Sequence, residues 1–509
     1  MQKASATVAD VAKIFEAKFD EPLEPEPTQS LSTNPLQEGS LETRPTLPEP
    51  QAKDIQPLSK EEEENISDFE LAEMVADYYS PVIRTDGTTF YLKGPFCWAK
   101  LGKQEKQHWR AIKQFLRAKC ALKPSRSKKR LMDVLACLHA EDSLYVPSED
   151  WDSNPKILNT PLGIVDLTTG EMHERTPHDC VTKVTERSPV EGPTPKFDQF
   201  MNDIFSEEHW GEDAQEVREF VLNLLALSLS GEQIEQLFFF FYGSGANGKS
   251  VLLDLIRRIL GDYAQTLDTK ALTSGGSANK GYAIAGLRGV RLSTASELGR
   301  TDRWDEALLK QLTGDSHVAA RQIYGEYGQV ELQATLMVSG NHKPRFHGGD
   351  GGMVRRLVLI PFKASIPKDK QNRFLCDELF EEEGDAILSL LVKRCAEVRK
   401  SGLTIPKCIQ LDTEEYVKAN DDLLNFFEEY MEAAPDSYEP TSEVYEAFQH
   451  FKKQNGEAAM SGTAFQQEMI ARFNLEKKRK RLSSGSNAVH VWDGVRLIKR
   501  KSHNGSDWQ

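Results

Sequence analysis

Eight consecutive residues, Gly243-Ser244-Gly245-Ala246-Asn247-Gly248-Lys249-Ser250, carry the clearest chemistry in the 509-residue chain. They fit G-x-x-x-x-G-K-S, and each part has a physical task. Glycines let main-chain N–H groups close around a phosphate, and the amino end of a following helix adds a favourable dipole. Lys249 would reach the β- and γ-phosphates of ATP, and the Ser250 hydroxyl would coordinate Mg²⁺. Cleavage needs, in addition, an acid at the end of a neighbouring strand to orient and activate water. Glu297 closes GVRLSTASE, 47 residues beyond Ser250, and fits that role and a share of the metal. Asn341 closes QATLMVSGN; a neutral amide there bonds both the γ-phosphate and the attacking water without repelling either. Arg355 and Arg356 in MVRRLVLIPF suit the charge that develops on a transferred phosphoryl group. If they act on a neighbouring subunit's nucleotide, activity requires a ring. Read singly, Glu297 could instead cap the next segment, and the arginine pair could be a solvated surface.

These residues need a scaffold, and the surrounding pattern supplies one. LFFFFYG is wholly apolar, as in a strand buried on both faces. KSVLLDLIRRILG reads as a helix with Val251, Leu252, Leu255, Ile256, Ile259 and Leu260 on one face and Gly261 as its stop. GVRLSTASE, QATLMVSGN and RRLVLIPF are three further strands, the first two ending in a polar residue. Buried strands with polar groups at their carboxyl ends are the plan of an α/β nucleotide-binding domain, here residues 236–365. Residues 196–235 read as a helical collar, with FVLNLLALSLSG closing on a glycine cap. Residues 66–195 alternate helix and strand as an α+β domain, in which ILNTPLGIVDLTTGEMHERTP is a hairpin ending in Thr-Thr-Gly. Residues 366–410 return to helix. From 411 onward, helices built around Tyr416, Leu424, Phe427, Tyr445, Phe448, Phe451 and Phe465 lead to KKRKRLSSGSNAVHVWDGVRLI. That last stretch reads as a basic hairpin, so residues 411–509 suggest a winged-helix module. Lys477, Lys478, Arg479, Lys480 and Arg481 are its candidate DNA contacts.

The net charge of −15 conceals an uneven distribution. Residues 20–64 hold 12 acids against 3 bases and 8 prolines, which predicts a disordered, self-repelling tether. Before it, Thr7 could cap a short amphipathic helix carrying Val8, Val11, Ile14, Phe15 and Phe19, either a partner-docking peptide or a frayed end. Residues 100–130 hold 12 Lys/Arg against one Glu, either a solvated helix face or a collar that guides DNA. The seven cysteines are scattered without a C-x-x-C pair, which fits a reducing cytoplasm and neither a disulfide framework nor a zinc site. Apolar runs fall far short of the ~20 residues that cross a bilayer, so no membrane partner is expected.

Taken in order, the phosphate loop, Ala-Ser-Glu297, Lys310-Gln311-Leu312-Thr313-Gly314-Asp315, Ser339-Gly340-Asn341-His342-Lys343-Pro344 and Arg355-Arg356 resemble superfamily 3 helicases. More narrowly, the chain is similar to the phage and plasmid primase-helicase family that includes the poxvirus primase-helicase. Ile157-Leu158-Asn159 through Gly163-Ile164-Val165-Asp166-Leu167-Thr168-Thr169-Gly170 resembles that family's segment upstream of the helicase. The resemblance covers roughly residues 66–500. It implies an AAA+ type core, assembled as a homo-hexamer, that pulls single-stranded and forked DNA through its channel in the 3′ to 5′ direction. It makes Lys249 and Ser250 the holders of nucleotide and Mg²⁺, Glu297 the catalytic acid and Asn341 the sensor. Arg356 takes the finger position with Arg355 as runner-up. Arg321 and Tyr324 fall where the family carries a DNA-gripping channel hairpin. Ser296 stands where many relatives carry a second acid, which shifts metal binding toward Ser250 and the phosphates. Relatives often carry a primase domain upstream. Residues 1–65 are too few to fold one, so primer synthesis is not expected, and residues 1–19 become a candidate dock for a separate primase or other replication protein. The expected setting is replication of a phage, plasmid, virus or other mobile element. Two other readings remain: an origin-binding initiator that uses ATP as an assembly switch, and a translocase on duplex DNA.

Overall fold

The computed structural model describes residues 47–51, 54–101, 106–120, 127–176, 178–233, 235–274, 280–296, 299, 302–314, 317–321, 327–346, 351–455, 457–482 and 487–498. The amphipathic segment 1–19 lies outside them. Among the described residues no helix is long and apolar enough to cross a membrane, and all seven cysteines are unpaired.

Helix α1 (Asp68–Tyr79) starts at a capping box in which Ser67 and Glu70 bond each other's main-chain amides. The antiparallel meander β1 (Ile83–Thr85), β2 (Phe90–Lys93) and β3 (Trp98–Lys100) follows, then helices α2 (Lys106–Lys119) and α3 (Lys128–Leu138). Leu71, Val75, Ile112, Phe115, Val134 and Leu138 form their common core. The expected tether does not run to residue 65. Leu47 and Ile55 are buried in this same core, and the Leu58 amide donates to Lys119 O at 2.9 Å. Three apolar side chains spaced among prolines and acids suffice to hold the segment down, which average composition hides.

A second meander comprises β4 (Ile157–Thr160), β5 (Gly163–Asp166) and β6 (Met172–His173). The chain reverses at Pro161-Leu162, and Thr168–Gly170 makes the next turn, so the expected hairpin gains a third strand. Helices α4 (Pro195–Ile204) and α5 (Ala214–Leu227) come next. α5 stops at Ser228, and the glycine expected as its cap, Gly231, has another use: a Cβ there would overlap the Arg291 guanidinium at 1.6 Å. Arg291 is buried at the seam with the upstream meander, where it donates to Asn154 O at 2.8 Å and to Gln333.

The central sheet contains β7 (Phe238–Tyr242), β8 (Ala264–Thr266), β9 (Leu292–Ala295), β12 (Thr335–Gly340) and β13 (Leu357–Pro361), all parallel, in the order β13-β7-β12-β9-β8. An antiparallel hairpin of β10 (His317–Arg321) and β11 (Tyr327–Glu331) precedes β12. The aromatic run of β7 is explained by its place: Phe239 and Phe241 enter one core, Phe238 and Phe240 the other. On the first face lie α4, α5, α6 (Lys249–Leu260) and the long α9 (Leu375–Ser401). On the second lie α7 (Lys280–Ala285) and α8 (Glu306–Gly314), while α10 (Lys407–Ala419) gives Ile409 to the first core and Tyr416 to the second. Emptying one of these phenylalanine sites to alanine costs about 3–5 kcal/mol. Tyr416 of α10 belongs to this second core, not to the C-terminal unit where its sequence neighbours suggested it, because α10 packs along β13.

The C-terminal unit holds α11 (Asp422–Tyr430), α12 (Thr441–Gln454) and α13 (Gly462–Phe473) over a sheet ordered β14-β16-β15. β15 (Lys477–Arg481) and β16 (Ala488–Leu497) form the expected antiparallel hairpin. β14 (Met431–Pro440) was not foreseen; it pairs with β16 and buries Trp492 beneath the helices.

Candidate functional site

Parallel strands present their carboxyl ends at one edge, and here Tyr242, Gly340 and Pro361 stand in register. The glycine-rich loop leaves that edge between β7 and α6. Gly245 and Gly248 hold φ of +103° and +86°, and Ala246 joins them at +49°. A Cβ on Gly248 would come within 2.6 Å of Ile204 Cγ2, so α4 presses the loop from behind. The amides of Ser244, Gly245, Ala246, Asn247 and Gly248 donate to no carbonyl or side chain among the described residues.

Lys249 is the charge at the centre of this loop. Its side chain is 5% exposed, and its ammonium donates to Gly243 O at 2.8 Å, Asn247 Oδ1 at 3.0 Å and Asn341 Oδ1 at 3.3 Å. All three acceptors are neutral, and burial alone lowers the lysine pKa to about 8. A buried cation with uncharged partners beside open amides fits an anion, and a phosphate satisfies both. Asn247 Nδ2 in turn donates to Phe362 O at 3.2 Å, tying the loop to the end of β13. Ser250, in the first turn of α6, is exposed at the same edge.

Of the residues singled out from sequence, Gly243, Asn247, Lys249 and Asn341 converge. Glu297 lies outside the described residues; β9 and the exposed Ser296 bring the chain to the sheet's carboxyl edge just before it. Tyr324 also lies outside them, and Arg321 ends β10 paired with Tyr327 across the hairpin. Arg355 and Arg356 do not join the site in their own chain. They precede β13, at the opposite sheet edge, roughly 16 Å away along a five-residue strand. Arg356, the expected first choice, is buried: Nη1 donates to Gly352 O at 2.7 Å and Nη2 lies against Gly314 at the end of α8. Arg355 is exposed.

The basic segments are less free than their composition suggests. Lys478 and Lys480 both donate to Asp493, at 2.6 and 2.7 Å, and Lys478 also reaches Glu476 at 2.9 Å. Lys477 donates to Gln466 at 2.7 Å. Arg479 and Arg481 are exposed, with no carboxylate partner among the described residues. In the 100–130 stretch, Arg130 pairs with Asp68 at 2.5 Å and donates to Ile66 O at 2.6 Å, so it fastens α3 to α1. Sequence reasoning missed Lys343, whose ammonium lies 4.8 Å from the Tyr242 ring centre. It also missed Arg303, Arg345 and Glu457, which meet in space from three separate segments.

Fold and loop together define a class: an α/β protein whose parallel sheet presents a glycine-rich loop and a buried lysine at its carboxyl edge. Residues 72–206 match the family described as D5 N terminal like, and residues 418–494 match Poxvirus D5 protein-like. Between them, residues 241–356, which contain the loop, match a family of unknown function (DUF5906). A protein named "Putative helicase" from Acanthamoeba polyphaga mimivirus is 28% identical over 310 residues, 57% of this chain and 32% of that protein. A protein named "Putative primase" from African swine fever virus is 24% identical over 350 residues, 64% of this chain and 35% of that protein. Among solved structures, the apo NrS-1 C-terminal region is 10% identical with a TM-score of 0.47, covering 84% of this chain and 100% of that one. Two segments of the chain thus match D5-type family models, and the relatives it resembles are named as a putative helicase and a putative primase of large DNA viruses. It spans about a third of the length of the curated relatives it matches.

Proposed function

We propose that this chain is an ATP-driven DNA helicase acting in the replication of a DNA virus or related mobile element. The observation that carries the reading is the Lys249 ammonium, buried among three neutral oxygens at the carboxyl edge of the sheet. Lys249 and the loop amides hold the phosphates, Asn341 senses the terminal one, and Glu297 orients water. Ser250, helped by Glu297, holds Mg²⁺, which supplies charge neutralisation on the phosphates when bound. The chain acts as a homo-hexameric AAA+ type ring moving 3′ to 5′, with the β10–β11 hairpin, through Arg321 and Tyr324, gripping single-stranded DNA. Arg355 is the better placed of the two arginines to reach a neighbouring subunit, since Arg356 is engaged within its own chain. Residues 1–19 recruit a separate primase or other replication protein.

The test is unwinding of a forked DNA by the purified chain with ATP and Mg²⁺, with Lys249→Ala as control. Strand separation lost in the variant supports the reading; DNA-stimulated ATP hydrolysis without strand separation sinks it. A second reading, an origin-binding initiator switched by ATP, draws on the exposed Arg479 and Arg481 of a winged-helix-like C-terminal unit. It predicts tight, sequence-selective duplex binding with little unwinding.

A further inference from the structure

The C-terminal unit meets the site-bearing edge of the sheet at one carboxylate. Glu457 lies between α12 and α13, and its side chain is 10% exposed. Its Oε1 accepts from Arg303 and, at 2.5 Å, from Arg345 Nη1. Its Oε2 accepts from Lys452, whose ammonium also bonds Asp422. The two arginines come from different places. Arg303 lies in the chain that follows β9, beyond Glu297, and Arg345 stands four residues after Asn341. The two loops pair with each other: Arg345 N donates to Asp302 O at 3.0 Å, and Trp304 N donates to Arg345 O at 2.9 Å. α10 closes the arrangement from below, where Trp304 Nε1 donates to the Tyr416 hydroxyl at 3.2 Å and that hydroxyl donates to Pro344 O.

Burial works to raise the Glu457 pKa, but hydrogen bonds from Lys452 and Arg345 and the charges of Lys452 and Arg303 hold it well below the ordinary carboxylate range. It is therefore an anion at physiological pH. Within the C-terminal unit Lys452 divides its charge between Glu457 and Asp422. Two further cations reach it from the sheet's carboxyl edge, and a largely buried anion makes withdrawing any of them costly.

We infer that Glu457 is a positioning residue through which the C-terminal unit fixes the loops after β9 and β12, and with them Asn341 and the water-orienting end of the site. Glu457 shares no hydrogen-bond partner with Lys249 and acts through Arg303 and Arg345. The inference rests on the ATPase reading above. It makes hydrolysis sensitive to whatever shifts the C-terminal unit, and it makes that unit more than a DNA-binding appendage.

The test uses the full chain with Glu457→Gln, a neutral isostere, and Arg345→Gln, which removes one exposed arm. Hydrogen exchange is measured without nucleotide, and kcat and KM for ATP in parallel. The expected result is exchange about tenfold faster across 302–305 and 341–346, with α5 unchanged. It is accompanied by a kcat about tenfold lower and a KM within about twofold. Unchanged exchange in both variants overturns the inference, as does faster exchange with an unchanged kcat. If the native chain hydrolyses ATP no faster than Lys249→Ala, the ATPase reading itself fails, and exchange alone decides whether Glu457 fastens the loops.

Discussion

Two clusters of positive charge mark this molecule, and they differ in what surrounds them. Lys249 is nearly buried and bonded only to neutral oxygens. Four of the five bases of β15 are exposed and Lys480 is half-buried, and two of the five already share the Asp493 carboxylate. A buried cation without an anion is held at a cost that a ligand relieves, whereas an exposed cation paired with a carboxylate is already at rest. Composition ranks the two clusters the other way, five bases against one.

The comparison can be broken most directly at its stronger end. Lys249→Ala should reduce ATP hydrolysis by on the order of 10²-fold or more, measured by steady-state phosphate release, since the charge it supplies is presented in a largely dry site. Next in size is a pH effect. Burial sets the free Lys249 near 8, so the protonated form that binds phosphate is lost above that pH. The affinity for a non-hydrolysable ATP analogue should fall up to about tenfold per pH unit beyond 8, and Lys249→Arg should abolish the dependence. Stability moves oppositely: a lysine depressed in the folded state favours folding more as pH rises from about 8 toward its unfolded value of about 10.4. Thermal unfolding of the nucleotide-free chain between those pH values checks the sign.

At the weaker end, Arg479→Ala with Arg481→Ala should weaken binding of forked DNA and reduce its salt slope by about one per arginine. Lys478→Ala with Lys480→Ala should do less, because those ammonium groups must first leave Asp493. The smallest effect expected is a gain: Asp493→Asn should raise DNA affinity by about twofold, visible as a tighter midpoint in a low-salt titration. A loss there would reverse the ranking of the two clusters.

Much of the scaffold was legible because β7, β12 and β13 are apolar on both faces, and Gly248 and Gly261 bracket α6 with backbone that side chains resist. β8 was not, since Ala264-Gln265-Thr266 is a half-polar edge strand without periodicity. Tyr416 was assigned to the wrong core because an aromatic in an amphipathic helix does not say which partner it meets. At the site, spacing pointed to Lys249, Asn247 and Asn341, which local geometry brings together. It could not distinguish a buried Arg356 from an exposed Arg355, since both stand at the same strand end. Nor could it find Glu457, whose arginines stand 154 and 112 positions away along the chain.

Arg291 has one more consequence. Its guanidinium is fitted between Gly231 and Gln333 and donates to Asn154 O, so four distant positions share one fit. A chimera that took the β4–β6 meander from one relative and the sheet from another would inherit a mismatched set unless all four came together. A chimera joined on either side of this seam should therefore fold more readily than one joined across it.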